Sequence, residues 1–142
     1  MLERLIDRCR RLGFHVHAVT KGISLRIPTA AKGAGGKSGL VSLAWIHPTM
    51  GWLGLRDLTM GVMREDVGLP GIAGQAVSQY LARLEQISPR PAIRTSALRA
   101  FRFSPSVAIT SERTLGLALE DAATALLHAP RQDANEVPSS DE

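Results

Sequence analysis

Phe14-His15-Val16-His17-Ala18-Val19, then Lys21-Gly22, then Ile23-Ser24-Leu25-Arg26-Ile27-Pro28, is the stretch on which the fold turns. Phe14, Val16 and Ala18 alternate with His15, His17 and Val19, the period-two pattern of a strand with one buried face. Ile23, Leu25 and Ile27 alternate with Ser24 and Arg26 in the same way. Pro28 lacks the N–H that a ladder needs and ends the run. Lys21-Gly22 turns the chain between the two strands.

Upstream, Leu2, Leu5, Ile6, Cys9 and Leu12 recur at helical spacing, while Arg4, Arg8 and Arg11 occupy another side. Glu3 and Asp7 come early and Arg8, Arg10 and Arg11 late, which suits the helix dipole. Gly13 is placed to stop this helix, predicted over about residues 2–12, in the left-handed conformation, and Phe14 to fold back on its last turn.

Downstream, residues 29–39 form a Gly- and Lys-rich loop, residues 40–46 a third strand and residues 52–57 a fourth, with His47-Pro48-Thr49-Met50-Gly51 between those two. Residues 58–74, broken by glycines and Pro70, read as an irregular connection. A second helix is expected over about 75–87 and a third over about 111–128, with residues 92–103 extended between them. The expected fold is therefore α+β: an antiparallel sheet of about four to five strands, with an N-terminal helix and two further helices packed on it. Residues 1–129 make one domain, and residues 130–142, with two prolines, four acids and no aromatic, a disordered acidic tail.

The 142 residues carry 17 Lys and Arg against 13 Asp and Glu, a net +4. Without residues 131–142 sixteen bases face nine acids, a net +7 for the body. A basic body with an acidic tail suits a polyanionic partner. No apolar stretch is long enough to span a membrane, and charges from Glu3 to Arg11 interrupt any signal-peptide core. A single cysteine, Cys9, allows no intramolecular disulfide, so a cytoplasmic protein is expected.

Ala31-Lys32-Gly33-Ala34-Gly35-Gly36-Lys37-Ser38 has the outline of a phosphate-binding loop, but such a loop must open a helix, and Leu40 to Ile46 reads as a strand. His15 and His17 share a strand face without further ligands at supporting spacing, so no metal site is assigned. No nucleophile elbow is present, and Cys9 lies on the apolar side of its helix. No catalytic residue and no cofactor are implied.

The order helix, strand, strand, strand over residues 2–46 resembles small double-stranded-RNA-binding-like domains, including HicA-type RNA-cleaving toxins. The resemblance is one of topology and covers under half of the chain. In those toxins a histidine follows a Gly-Ser pair; Lys21-Gly22-Ile23-Ser24-Leu25 has none, which argues against cleavage. The expected function is a non-enzymatic nucleic-acid-binding accessory or regulatory module that contacts a DNA or RNA backbone through Lys32, Lys37, Arg94, Arg99 and Arg102. The alternative is a protein-interaction or assembly component, oligomeric or partner-binding. It would use the Met- and Trp-rich region from Trp45 onward or the Ala-rich third helix.

Overall fold

The opening helix, α1 (Leu2–Arg11), ends as its sequence predicts. Gly13 takes a φ of 98°, its N–H donates to the Arg10 carbonyl at 3.1 Å, and the Phe14 N–H donates to the Cys9 carbonyl at 2.9 Å. This left-handed stop turns buried Phe14 into the core and starts the first strand. The structure is a computed structural model and describes residues 2–19, 22–30, 39–46 and 58–129. The loop carrying Lys32 and Lys37, the expected strand at 52–57 and the tail lie outside the described residues.

Six strands form one sheet: β1 (His15–Val19), β2 (Gly22–Pro28), β3 (Leu40–Ile46), β4 (Leu58–Met63), β5 (Ile93–Arg94) and β6 (Leu98–Phe103). Their order is β1-β2-β3-β4-β6-β5, and every neighbouring pair is antiparallel. The α+β class with an antiparallel sheet stands, with more elements than the sequence suggested. A 3-10 turn (Arg64–Asp66) and α2 (Gly71–Ile87) lie between β4 and β5, and α3 (Pro105–Thr110) and α4 (Glu112–Leu127) follow β6.

Three segments differ from expectation. Residues 58–63, read as irregular, are β4, a central strand between β3 and β6. Gly61 there suggested a break, yet it is what lets the strand fit. A Cβ at Gly61 would come within 2.3 Å of the Arg99 carbonyl oxygen and 2.4 Å of the Ala100 Cα on β6. Residues 92–103 form two strands rather than one extended segment. The Thr95 side chain turns the chain by accepting from the N–H groups of Ala97 (3.1 Å) and Leu98 (2.9 Å). The second helix begins at Gly71, a turn earlier than expected. α3 was missed because it is short; Ser104 caps it by accepting from the Val107 N–H at 3.4 Å, and Pro105 occupies its first turn.

One face of the sheet carries Leu25, Ile27, Val41, Met60, Phe101 and Phe103, all buried, under α2 and α4. α2 contributes Ala73, Val77, Tyr80 and Leu84 to this core, and α4 Leu115, Leu119, Ala122 and Leu126. Two neighbouring acids of α4 tie the helices together at the rim. Glu120 pairs with Arg8 of α1, and Asp121 with Arg83 of α2 at 2.5 Å. All four side chains are a third or more exposed, so each pair contributes at most about 1 kcal/mol.

The register of β2 on β3 shifts between Leu25 and Arg26, whose partners are Ala44 and Ser42, leaving Leu43 as an extra, unpaired residue. Buried Tyr80 answers this bulge: its hydroxyl donates to the Leu43 carbonyl at 2.5 Å. Burial raises the Tyr80 phenol well above 10.0, with a further contribution from Cys9. Burial likewise pushes the Cys9 thiol up from 9.0 to about 12, against a smaller lowering by the Arg8 charge.

Replacing Tyr80→Phe should lower the unfolding free energy by about 1–3 kcal/mol, because the Leu43 carbonyl stays buried without its donor. A urea titration at unchanged slope reads this directly, and an unaltered midpoint would mean that the bulge does not need the hydroxyl. Both raised groups are acids held neutral in the folded state. Their contribution is complete below pH 9; the part due to the thiol is lost as pH rises from 9 toward about 12, and the part due to the phenol is lost as pH rises above 10.0. Urea midpoints should therefore fall across that window, and Cys9→Ala should flatten the part due to the thiol.

Candidate nucleic-acid interface

The face of the sheet opposite the core is assembled by register, since directly opposed residues on neighbouring strands share a face. Ser24 on β2 lies opposite Trp45 on β3, Trp45 opposite Thr59 on β4, and Thr59 opposite Arg102 on β6. One row thus crosses four strands, and the backbone pairing extends it on β1 to His17. Beside it runs a second row: His15 opposite Arg26, and Arg26 opposite Ser42. Hydrogen bonds join the rows, for Ser24 Oγ donates to Ser42 Oγ and accepts from Arg26 Nε, each at 3.2 Å.

The hydroxyl residues form a floor: Ser24 is 0% exposed, Ser42 8% and Thr59 7%. Arg26 and Trp45 are half-buried above it, and His15 and Arg102 are exposed. Neither row contains a carboxylate. The face therefore presents cationic and aromatic side chains on a short polar base, an arrangement that suits phosphates and flat rings.

Ser42 and Trp45 are three residues apart, so on a regular strand they would point to opposite faces. The bulge at Leu43 absorbs one residue and brings both onto the same face. The hydrogen bond from Tyr80 in the core to Leu43 thereby supports the composition of the opposite face.

Arg94, Arg99 and Arg102 do not act as one set. The turn at Thr95 sets Arg94 on β5 directly opposite Arg99 on β6, so these two share a face, while Arg102 belongs to the other. One regular strand over the expected extended segment 92–103 would set Arg94 and Arg102 on one face and Arg99 on the other; the hairpin replaces that arrangement. Arg99 Nη1 is held over the turn, donating to the carbonyls of Thr95 at 2.7 Å and Leu98 at 3.0 Å. Arg64 joins this edge: its backbone N–H donates to the Ala97 carbonyl at 2.8 Å, and it lines a shallow hollow with Glu65, Ser96 and Arg99.

Lys32 and Lys37 lie outside the described residues, but the neck of their loop is defined: the Thr29 N–H donates to the Gly39 carbonyl at 2.9 Å. The chain after that loop is β3, so the glycine-rich string leads into a strand and lacks the helix of a nucleotide-binding loop. Among the described residues, no three His, Cys, Asp or Glu side chains gather to hold a metal, and no helix is long and apolar enough to cross a membrane. Cys9 is 1% exposed and its raised pKa leaves it a thiol, not a thiolate nucleophile.

Sequence reasoning missed Arg26, Trp45 and Arg64 as site residues. Alternation along β2 does place Ser24 and Arg26 away from Leu25 and Ile27. Trp45 had no such signal, because the bulge that turns it outward is set by pairing. No protein-family model matches the chain, and no curated protein or solved structure matches it.

Like charges directly opposed on an edge are destabilising. Arg94→Thr should therefore raise stability by about 0.2–1 kcal/mol at low salt, a gain that added salt erases. Urea midpoints at two ionic strengths measure this, and a loss of stability would show that Arg94 is held by an attractive contact instead.

Proposed function

We propose that this protein is a non-enzymatic nucleic-acid-binding module that holds phosphates through the arginines of its sheet. The observation that carries the reading is the pair of rows on the open face. Arg26 and Arg102 stand on a hydroxyl floor with Trp45 and His15, with no carboxylate in either row. Guanidinium groups donate to phosphate oxygens in a planar fork, and such contacts supply affinity without reading sequence. The loop of Lys32 and Lys37 begins and ends next to Pro28 and Leu40, two residues along the strands from Arg26 and Ser42, and we count these two lysines, which lie outside the described residues, as further phosphate contacts. Arg94 and Arg99 would add a second point of attachment at the hairpin edge, where a bound phosphate offsets their mutual repulsion.

The role we assign is accessory or regulatory, since the residues gathered here bind and orient but include no nucleophile paired with a base. A protein-assembly role draws less support. Ala118, Ala122 and Ala123 of the Ala-rich helix are buried, and Met60 of the Met-rich region is fully buried in the core.

Affinity for an oligonucleotide should fall steeply with salt. Arg26→Gln and Arg102→Gln should each lower the slope of log K against log salt by about 0.7–0.9. Fluorescence anisotropy on the full chain and on a chain lacking residues 130–142 measures this. Absence of binding at low salt in both chains would reject the reading.

A further inference from the structure

The open face contains one element that phosphate binding alone does not use. Trp45 lies at the centre of the row, with Ser24 and Thr59 on either side and Arg102 one strand beyond Thr59. At about 4.8 Å between strands, Arg102 and Trp45 are about 10 Å apart along the backbone row, and Arg26 lies in the adjacent row. Resting on the nucleic-acid reading above, we infer that the ligand is single-stranded and crosses the strands of the sheet, with an unpaired base stacked on the Trp45 indole and flanking phosphates at Arg102 and Arg26.

Three observations favour a single strand over a duplex. A partly exposed indole on a flat face can stack only on a base whose own face is free, which a duplex interior does not offer. The described part of this face has no helix or ribbon standing out from it to enter a major groove. The residues opposite Trp45 in its row, Ser24 and Thr59, have short side chains that do not overtop an indole. Charge complementarity supports a nucleic acid of either form, because the two arginines flank the ring and no carboxylate residue occupies the rows.

The mode also differs in its energetics from duplex binding by backbone contact. Stacking on an aromatic side chain is tolerant of sequence, because every base has a π face. The protein should therefore bind oligothymidylate and oligouridylate alike through the ring. A preference between them would come from the 2′-hydroxyl and would distinguish RNA from DNA.

The test compares labelled oligothymidylate, oligouridylate and a mixed-sequence duplex of equal length, binding the full chain at low salt. A single strand should bind at least about tenfold more tightly than the duplex, and Trp45→Ala should weaken single-strand binding about five- to 150-fold, while Trp45→Phe keeps most of it. Because Trp45→Ala could disturb β3, circular dichroism and melting accompany it. A second measurement leaves Trp45 untouched: in a Trp52→Phe chain, a single strand should quench the remaining tryptophan fluorescence and a duplex should not. Equal binding of duplex and single strand, without quenching, overturns the single-strand inference while leaving phosphate binding in place if Arg102→Gln still weakens it. A dimer that already shields Trp45 and excludes the oligonucleotide overturns it as well. No binding of any of the three rejects both readings together.

Discussion

The hydrogen bond from the Tyr80 hydroxyl to the Leu43 carbonyl is the contact on which the two sides of this sheet depend. A bulge leaves one residue of β3 outside the ladder with β2, and a buried carbonyl there must find a donor or cost stability. α2 supplies that donor from the middle of its buried side, where Tyr80 is 1% exposed. The consequence reaches the far face. Because the bulge removes one residue from the alternation, Ala44 joins Val41 over the core, while Ser42 and Trp45 both turn away from it. A core tyrosine and a surface tryptophan are thus linked through a single irregularity in one strand.

The distribution of charge follows from the same division. Arg8 and Arg83 are engaged by Glu120 and Asp121, neighbouring residues of α4, which hold α1 and α2 at the rim of the helical layer. The two open-face rows themselves contain no carboxylate residue, and at its edge the sheet places Arg94 against Arg99. An edge strand guarded by charge resists pairing with another chain, and the two facing arginines at this edge, one of them held by the Thr95 and Leu98 carbonyls, provide such a guard.

Much of the fold was legible in the sequence because its signals are local. Gly13 and Phe14 marked the end of α1, alternation marked β1 and β2, and the apolar spacing of Leu115, Leu119, Ala122 and Leu126 marked α4. Where reading failed, the deciding contact was distant. Gly61 fits inside β4 because Ala100 lies against it across the pair, and residues 92–103 are two strands because the Thr95 side chain closes a turn between them. Of the site residues expected from sequence, Arg102 belongs to the open face and Arg94 and Arg99 to the hairpin edge. That split could not be read from spacing, because a turn resets the alternation.

By itself the sequence determined the α+β class, the antiparallel pairing of its first strands, the basic balance of the body and the absence of a helix opening after the glycine-rich loop. These follow from periodicity, caps and composition, each carried by residues a few positions apart. The tertiary structure alone decided that Ser24, Trp45, Thr59 and Arg102 form one row and that Arg94 opposes Arg99. Strand register is a property of pairs distant in the chain, and a one-residue bulge reverses every side chain beyond it.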